Sequence, residues 1–192
     1  MRLQTLMQEA RACTVCAKHL PEGPRPLLQG SAKAKVLLIG QAPGLTAHQT
    51  GIPWDDRSGA RLREWLGISD DHFYDPEKVA LLPMGFCYPG KARSGDAPPR
   101  PECAPAWHPP LLEAFQAVRL TIYLGKYALA RYLPDRYDTI TEAAADYAAL
   151  LPNQLVLPHP SPRNNLWLKK HPWFETEVLP KLQRRARSLM KP

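Results

Sequence analysis

Four short apolar runs, separated by stretches of helical periodicity, constrain this chain more than any other feature of its sequence. Residues 35–40 (Lys-Val-Leu-Leu-Ile-Gly), 79–86, 120–125 and 155–157 are apolar along most of their length and do not alternate with polar residues. A strand of that kind has to be covered on both faces, which is the environment of a parallel sheet. Between the runs, Leu62, Trp65 and Leu66 recur at helical spacing, with Ser58 as a candidate N-cap ahead of them and Gly67 as a stop. Residues 105–118, 127–133, 164–170 and 173–190 read as further helices. The alternation predicts an α/β fold: a three-layer, doubly wound, mostly parallel four-stranded sheet. Ligands of such sheets sit beyond the carboxyl ends of the strands, so the two most unusual loops, 40–44 and 158–164, should face one crevice.

The 192 residues, 44% of them hydrophobic, fit one domain spanning 1–192. A chain of this length buries roughly 70% of its unfolded surface and needs no disulfide scaffold. No apolar run approaches the roughly 20 residues of a membrane span, and the opening MRLQTLMQEARACTVC lacks the apolar stretch of a signal peptide. The expectation is a soluble, intracellular, cytoplasmic monomer with no membrane partner. The 22 prolines are scattered among periodic segments, which argues against disorder.

Charge is unevenly placed. From Ser161 onward there are eight basic residues (Arg163, Lys169, Lys170, Lys181, Arg184, Arg185, Arg187 and Lys191) against Glu175 and Glu177, so six of the seven surplus positive charges lie in the last 32 residues. A basic end fits a polyanion, because each neutralised phosphate releases a counterion, and it equally fits a solvated helix face. On the first reading, Arg184, Arg185 and Arg187 contribute to the salt dependence of nucleic-acid binding.

The cysteines form a C-x2-C, Cys13 and Cys16, followed after seventy residues by Cys87 and after fifteen more by Cys103. Two thiolates on one turn and two distant ones complete a four-cysteine shell for zinc or an iron-sulfur cluster. Disulfides and a redox dithiol at Cys13 and Cys16 are the competing accounts, the second leaving Cys87 and Cys103 idle. Composition does not separate iron-sulfur from zinc.

This cysteine spacing, with the loops around it, resembles the iron-sulfur (family 4) branch of the uracil-DNA glycosylase superfamily. Gly40-Gln41-Ala42-Pro43-Gly44 is similar to that branch's first motif, G-E-A-P-G. Gly51-Ile52-Pro53-Trp54 with Arg57-Ser58-Gly59 resembles its G-x-P-F-V-G-x-A-G, and His159-Pro160-Ser161-Pro162 resembles the second motif, in the H-P-S-P form of family 1. The resemblance covers residues 13–164. It implies a uracil-DNA glycosylase-like fold, a 4Fe-4S cluster on Cys13, Cys16, Cys87 and Cys103 with zinc as the alternative, and DNA containing a damaged base as partner. It also implies base flipping, since the base–sugar bond is not accessible inside the stack. By the same resemblance, Gly40, Gln41 and Ala42 line the base pocket, Trp54 stands where a Phe stacks on the base, and His159 donates to a pyrimidine carbonyl as charge builds on the leaving base. Ser161 holds the DNA backbone, and Arg163 with Asn164 sits where other members push a side chain into the vacated stack.

The departures are specific. Gln41 replaces the Glu of family 4, Ala47 and His48 replace its following acids, and Ala42 replaces the water-activating Asp of family 1. Asp55 and Asp56 are then the nearest carboxylates for catalysis, the alternative roles being capping or pairing with Arg57. Pro83 stands where family 4 carries the Asn that reads the uracil edge, and it has no side-chain amide. The sequence therefore supports a monofunctional DNA glycosylase acting on uracil or another deaminated base. A non-catalytic nucleic-acid-binding protein on the same scaffold and a module in which the metal centre itself is the function are the alternatives.

Overall fold

The computed structural model describes residues 2–191. Helix α1 (Arg2–Arg11) precedes the first strand, β1 (Val36–Ile39). Next come α2 (Leu45–Thr50), α3 (Arg57–Leu66), α4 (Asp70–Phe73), β2 (Val79–Leu81), α5 (Cys103–Ala114), β3 (Leu120–Leu124) and α6 (Lys126–Tyr132). The chain ends with α7 (Ile140–Ala145), α8 (Tyr147–Leu150), β4 (Gln154–Leu157), α9 (Asn165–Lys170) and α10 (Leu179–Met190).

All four strands are parallel, in the order β2-β1-β3-β4, with Val36 opposite both Val79 and Leu120, and Leu124 opposite Leu157. Strand order reverses between β1 and β3, which is where a doubly wound sheet opens a crevice. Alternate residues of β1 enter two cores. Val36 and Leu38 pack with Leu62, Trp65 and Leu66 of α3 and Leu182 of α10, whereas Leu37 and Ile39 pack with Met7 of α1, Leu111 of α5 and Leu129 of α6. Helices cover both faces, which is why the strands could be apolar throughout. Trp65 is core, and Trp167 and Trp173 pack against the same cluster, as expected of structural tryptophans.

Several boundaries differ from the sequence expectation, among them the helix read at 105–118, which runs from Cys103 to Ala114. The second strand stops at Leu81, because Pro83 has no N–H to continue a ladder and the chain turns beneath the loop after β1. Helix α3 is capped by Asp56, whose Oδ1 accepts the Gly59 N–H at 2.8 Å, and Ser58 lies in its first turn; Gly67 ends it in a left-handed conformation as expected. The last helical stretch opens with a π-helical turn, Phe174–Val178, beside Pro180, which cannot donate to Thr176. No helix among the described residues is long and apolar enough to cross a membrane.

Candidate active site

A cavity of about 520 Å³ opens at the carboxyl ends of the strands. Its wall is built by the segment after each strand: Gln41, Ala42, Pro43 and Gly44 after β1, Pro83 after β2, Lys126 and Tyr127 after β3, and His159 and Ser161 after β4. The loop after β1 is tied to the segment after β2 by backbone bonds, Met84 N–H to Gly40 O at 2.8 Å and Gly85 N–H to Gln41 O at 3.0 Å. The Gln41 side chain donates to Ala97 O at 3.4 Å. The structure thus brings Gln41, Ala42, Trp54, Asp56, Pro83, His159, Ser161, Arg163 and Asn164 to one cavity. Gly40 stands behind it, because a β-carbon there would lie 2.9 Å from Trp54 Cζ2. Asp55 is not part of the wall.

Trp54 is held in an unusual backbone conformation. Its φ is +60°, a region that costs a large side chain about 1 to 3 kcal/mol unless its surroundings enforce it. The enforcement comes from α3 and the segment after it: Arg63 donates to the Trp54 carbonyl at 3.2 Å and to Tyr74 Oη at 3.2 Å, and Arg63 is itself paired with Asp70 at 2.8 Å. The result is an indole lying against His159, with ring centroids 5.5 Å apart and planes inclined by 30°.

His159 follows β4 in a loop braced from several sides. Arg61 of α3 donates to Pro160 O and Ser161 O, both at 3.4 Å, and to Asn165 Oδ1 at 2.9 Å. The Ser161 N–H donates to His159 Nδ1 at 3.2 Å, which makes Nδ1 the acceptor and leaves the ring proton on Nε2. Burial pushes the imidazole below its ordinary value, with Asp56 pulling the other way. A neutral donor at the cavity wall is the consequence.

Asn164 donates through Nδ2 to His159 O at 2.6 Å. It is a strut of the His159 loop, and that bond commits the side-chain amide that the sequence reading placed in the vacated stack. Arg163 reaches back across the cavity mouth to Ser94, donating to its carbonyl at 3.2 Å and its hydroxyl at 3.3 Å. Ser161 Oγ accepts the Arg163 N–H at 3.3 Å and so shapes the same turn.

Sequence reasoning missed Asp96, Ser94, Lys126 and Tyr127, all of which line the cavity. Lys126 and Tyr127 come directly after a strand-ending glycine, a signal that was present. Asp96 and Ser94 lie in the Gly- and Pro-rich stretch 91–101, where no periodicity marks them.

The floor of the cavity is set from behind. His108, 1% exposed, donates from Nε2 to Pro83 O at 3.0 Å, while its Nδ1 accepts from the Tyr132 hydroxyl. Burial drives the His108 pKa down to about 4, so the imidazole is neutral at ordinary pH. The Pro83 carbonyl is therefore occupied by His108.

Cys13, Cys16, Cys87 and Cys103 line one separate pocket with Leu20, Pro26, Phe86 and Arg100, and all four are free of disulfides. Burial first, and then the neighbouring cysteines, raise Cys87 to about 11 and Cys103 to about 12. The Phe86 N–H donates to Cys103 Sγ at 3.3 Å, a bond that favours the thiolate. A pure sulfur donor set whose members disfavour one another's ionisation suits a cationic centre, which binds thiolates and removes that penalty. Among the described residues no three His, Cys, Asp or Glu side chains stand close enough to hold a single metal ion.

The basic C-terminal helix is not at the crevice. Arg185 donates to Pro152 O at 2.9 Å and Arg119 O at 3.0 Å, and Arg187 donates to Gly67 O at 3.0 Å. Arg119 and Pro152 lie one and two residues ahead of β3 and β4, at the opposite end of the sheet from His159. The expectation that Arg185 and Arg187 belong to a DNA-binding surface gives way to one in which they tie α10 down.

Comparison with known proteins agrees with this architecture. A family model of the Uracil DNA glycosylase superfamily matches residues 28–183, and the chain belongs to that superfamily. The Type-4 uracil-DNA glycosylase of Thermotoga maritima is 25% identical over 163 residues, covering 83% of this chain and 81% of the relative. Membership supports a DNA glycosylase, a hydrolase of the base–sugar bond.

Proposed function

We propose that the protein is a monofunctional DNA glycosylase that hydrolyses the N-glycosidic bond of a flipped damaged base, uracil or another deaminated base, and leaves an abasic site. The observation that carries the proposal is the neutral His159, with its proton fixed on Nε2, beside the Trp54 indole in the cavity at the strand ends. An indole face retains an unstacked base. As the base departs, negative charge spreads onto its carbonyl oxygen, and a preoriented N–H there stabilises the transition state more than the ground state. A neutral imidazole suits this role, since it donates a hydrogen bond without having to surrender a proton. Family membership and the Thermotoga maritima relative support the same reading.

The substrate is read as DNA, and the protein as a single-domain, cytoplasmic monomer. Asn164 being committed to the loop, Leu166, 71% exposed on α9, is the apolar side chain offered to the vacated stack. Cys13, Cys16, Cys87 and Cys103 would hold a 4Fe-4S cluster, which when bound supplies a cross-link between the N-terminal segment and the loop that ends in α5. Zinc instead would require the four sulfurs to draw together around one ion.

The test is base release from end-labelled single- and double-stranded oligonucleotides carrying uracil, hypoxanthine or xanthine, with alkali to reveal abasic sites. Release from at least one, with no cleavage before alkali and no borohydride-trapped adduct on Lys126, is expected. Salt-sensitive DNA binding without release from any of them would favour the non-catalytic reading, which Gln41 and Ala42, lacking carboxylates, otherwise support.

A further inference from the structure

We propose that Asp96 is a catalytic residue of this site, the carboxylate that takes a proton from the water attacking the sugar; the proposal rests on the glycosylase reading above. The loop after β1 offers Gln41 and Ala42, neither of which is a carboxylate, and Asp55 lies off the cavity wall. Asp56 lines the cavity, but its Oδ1 is committed to the N-terminus of α3. Asp96 lines it as well. Among the described residues no hydrogen bond or close ion pair engages its carboxylate. Its Oδ2 reaches to 3.6 Å from where a β-carbon of Gly44 would lie, and Asp56 Oδ2 to 3.8 Å from the same point, so the carboxylate is aimed at the end of the loop after β1.

The aspartate is also held in place. The 91–96 turn is closed by the Lys91–Asp96 bridge, with Ala92 N–H to Gly95 O at 2.7 Å and Ala97 N–H to Gly90 O at 2.8 Å. Arg163 fastens the turn to the His159 loop through Ser94, and Gln41 fastens it to the loop after β1 through Ala97 O. A residue 55 positions beyond Gln41 in the chain is thereby fixed between the two loops that hold the base. Burial raises the Asp96 carboxyl above its ordinary value and Asp56 adds to this, while Arg163 and Lys91 oppose it; Tyr88 also feels its charge, and Lys126, Tyr127 and His159 are the other titratable groups lining the same cavity. A carboxylate poised in that way is a stronger base than one in water.

The step balances. The bond from C1′ to the base nitrogen breaks and its electron pair leaves on the base, whose carbonyl accepts from His159 Nε2. The water oxygen bonds to C1′, its proton passes to the Asp96 carboxylate, and the departing base anion is protonated by solvent, to which Asp96 later returns its proton.

The experiment is single-turnover base release by full-length Asp96→Asn, with its metal centre loaded, on the oligonucleotide the unaltered protein cleaves best, from the ordinary carboxyl range up to alkaline pH, with DNA affinity measured by anisotropy. The rate should fall at least about 100-fold with affinity unchanged. The unaltered protein's rate should rise with pH through both the raised Asp96 carboxyl and the depressed His159 imidazole, and the Asn variant should keep only the His159 part of this acid limb. Asp96→Glu, which keeps the charge, should recover part of the rate and the limb. An Asn variant within a few-fold of the unaltered rate, or one whose acid limb is unchanged in shape from the parent's, overturns the role of Asp96 and leaves the glycosylase reading standing. An unaltered protein that releases no base overturns both.

Discussion

The carbonyl oxygen of Trp54 lies 1.7 Å from where a β-carbon on Gly59 would sit. Helix α3 therefore begins flush against the backbone of the residue it positions, and only glycine allows that approach. Gly59→Ala should push the Trp54 carbonyl off Arg63 and Tyr74, destabilise the protein by about 1 to 3 kcal/mol, and move the indole away from His159. Chemical denaturation monitored by tryptophan fluorescence checks this. An Ala variant as stable as the parent, with unaltered Trp emission, would mean that the backbone yields without cost.

His159→Ala removes the Nε2–H donor and leaves the strand, the Trp54 indole and the Asn164 strut in place. Loss of one such preorganised donor costs at least ~2.7 kcal/mol in the chemical step, or about 100-fold in rate, with little change in DNA affinity. Single-turnover rates against binding isotherms separate the two effects. A rate equal to the parent's would remove His159 from the chemistry.

Much of this was legible in the sequence, for a physical reason. The run 35–40 is apolar on every residue of β1 because both faces of a central parallel strand are buried, so an unbroken apolar run ended by glycine identified it. His159 and the loop after β1 were legible because loops at the carboxyl ends of strands converge in this topology. The second strand was overextended because apolar composition does not report that Pro83 ends a ladder. Ser58 and Asp56 are both capping types two residues apart, and the choice between them is made by where Trp54 meets α3. Asp96 was invisible for another reason: its place at the cavity is set by Arg163 and Ser94, 69 residues apart in the chain, and no local pattern encodes such a contact.

His108 gives the protein an acid-sensitive floor. Its pKa falls from an ordinary 6.5 when unfolded to about 4 when folded, so between those values the unfolded chain binds the proton and the native one does not. The stability is complete above pH 6.5 and is lost as pH falls toward 4, by about 3 kcal/mol across the window. The depressed His159 adds to the slope with the same sign. His108→Gln keeps a donor for Pro83 O without a titrating ring, and its stability should decline less steeply than the parent's over that range. Parallel stability–pH curves from urea melts would show that His108 is not held neutral.

The arginines of α10 separate charge from contact. Arg185 donates to two carbonyls that precede β3 and β4, and Arg187 to the carbonyl that ends α3, so both fasten the helix to the end of the sheet remote from the cavity. Replacing each by Ala should lower stability by about 1 kcal/mol and leave the slope of DNA affinity against salt unaltered. Arg163, at the cavity mouth, is the contrast: a phosphate contact there contributes about one unit to that slope, so Arg163→Ala should flatten it. Anisotropy titrations across a salt series read both. A flattened slope in the Arg185 and Arg187 variants would place DNA on the α10 end of the sheet and overturn their assignment as ties of α10 alone.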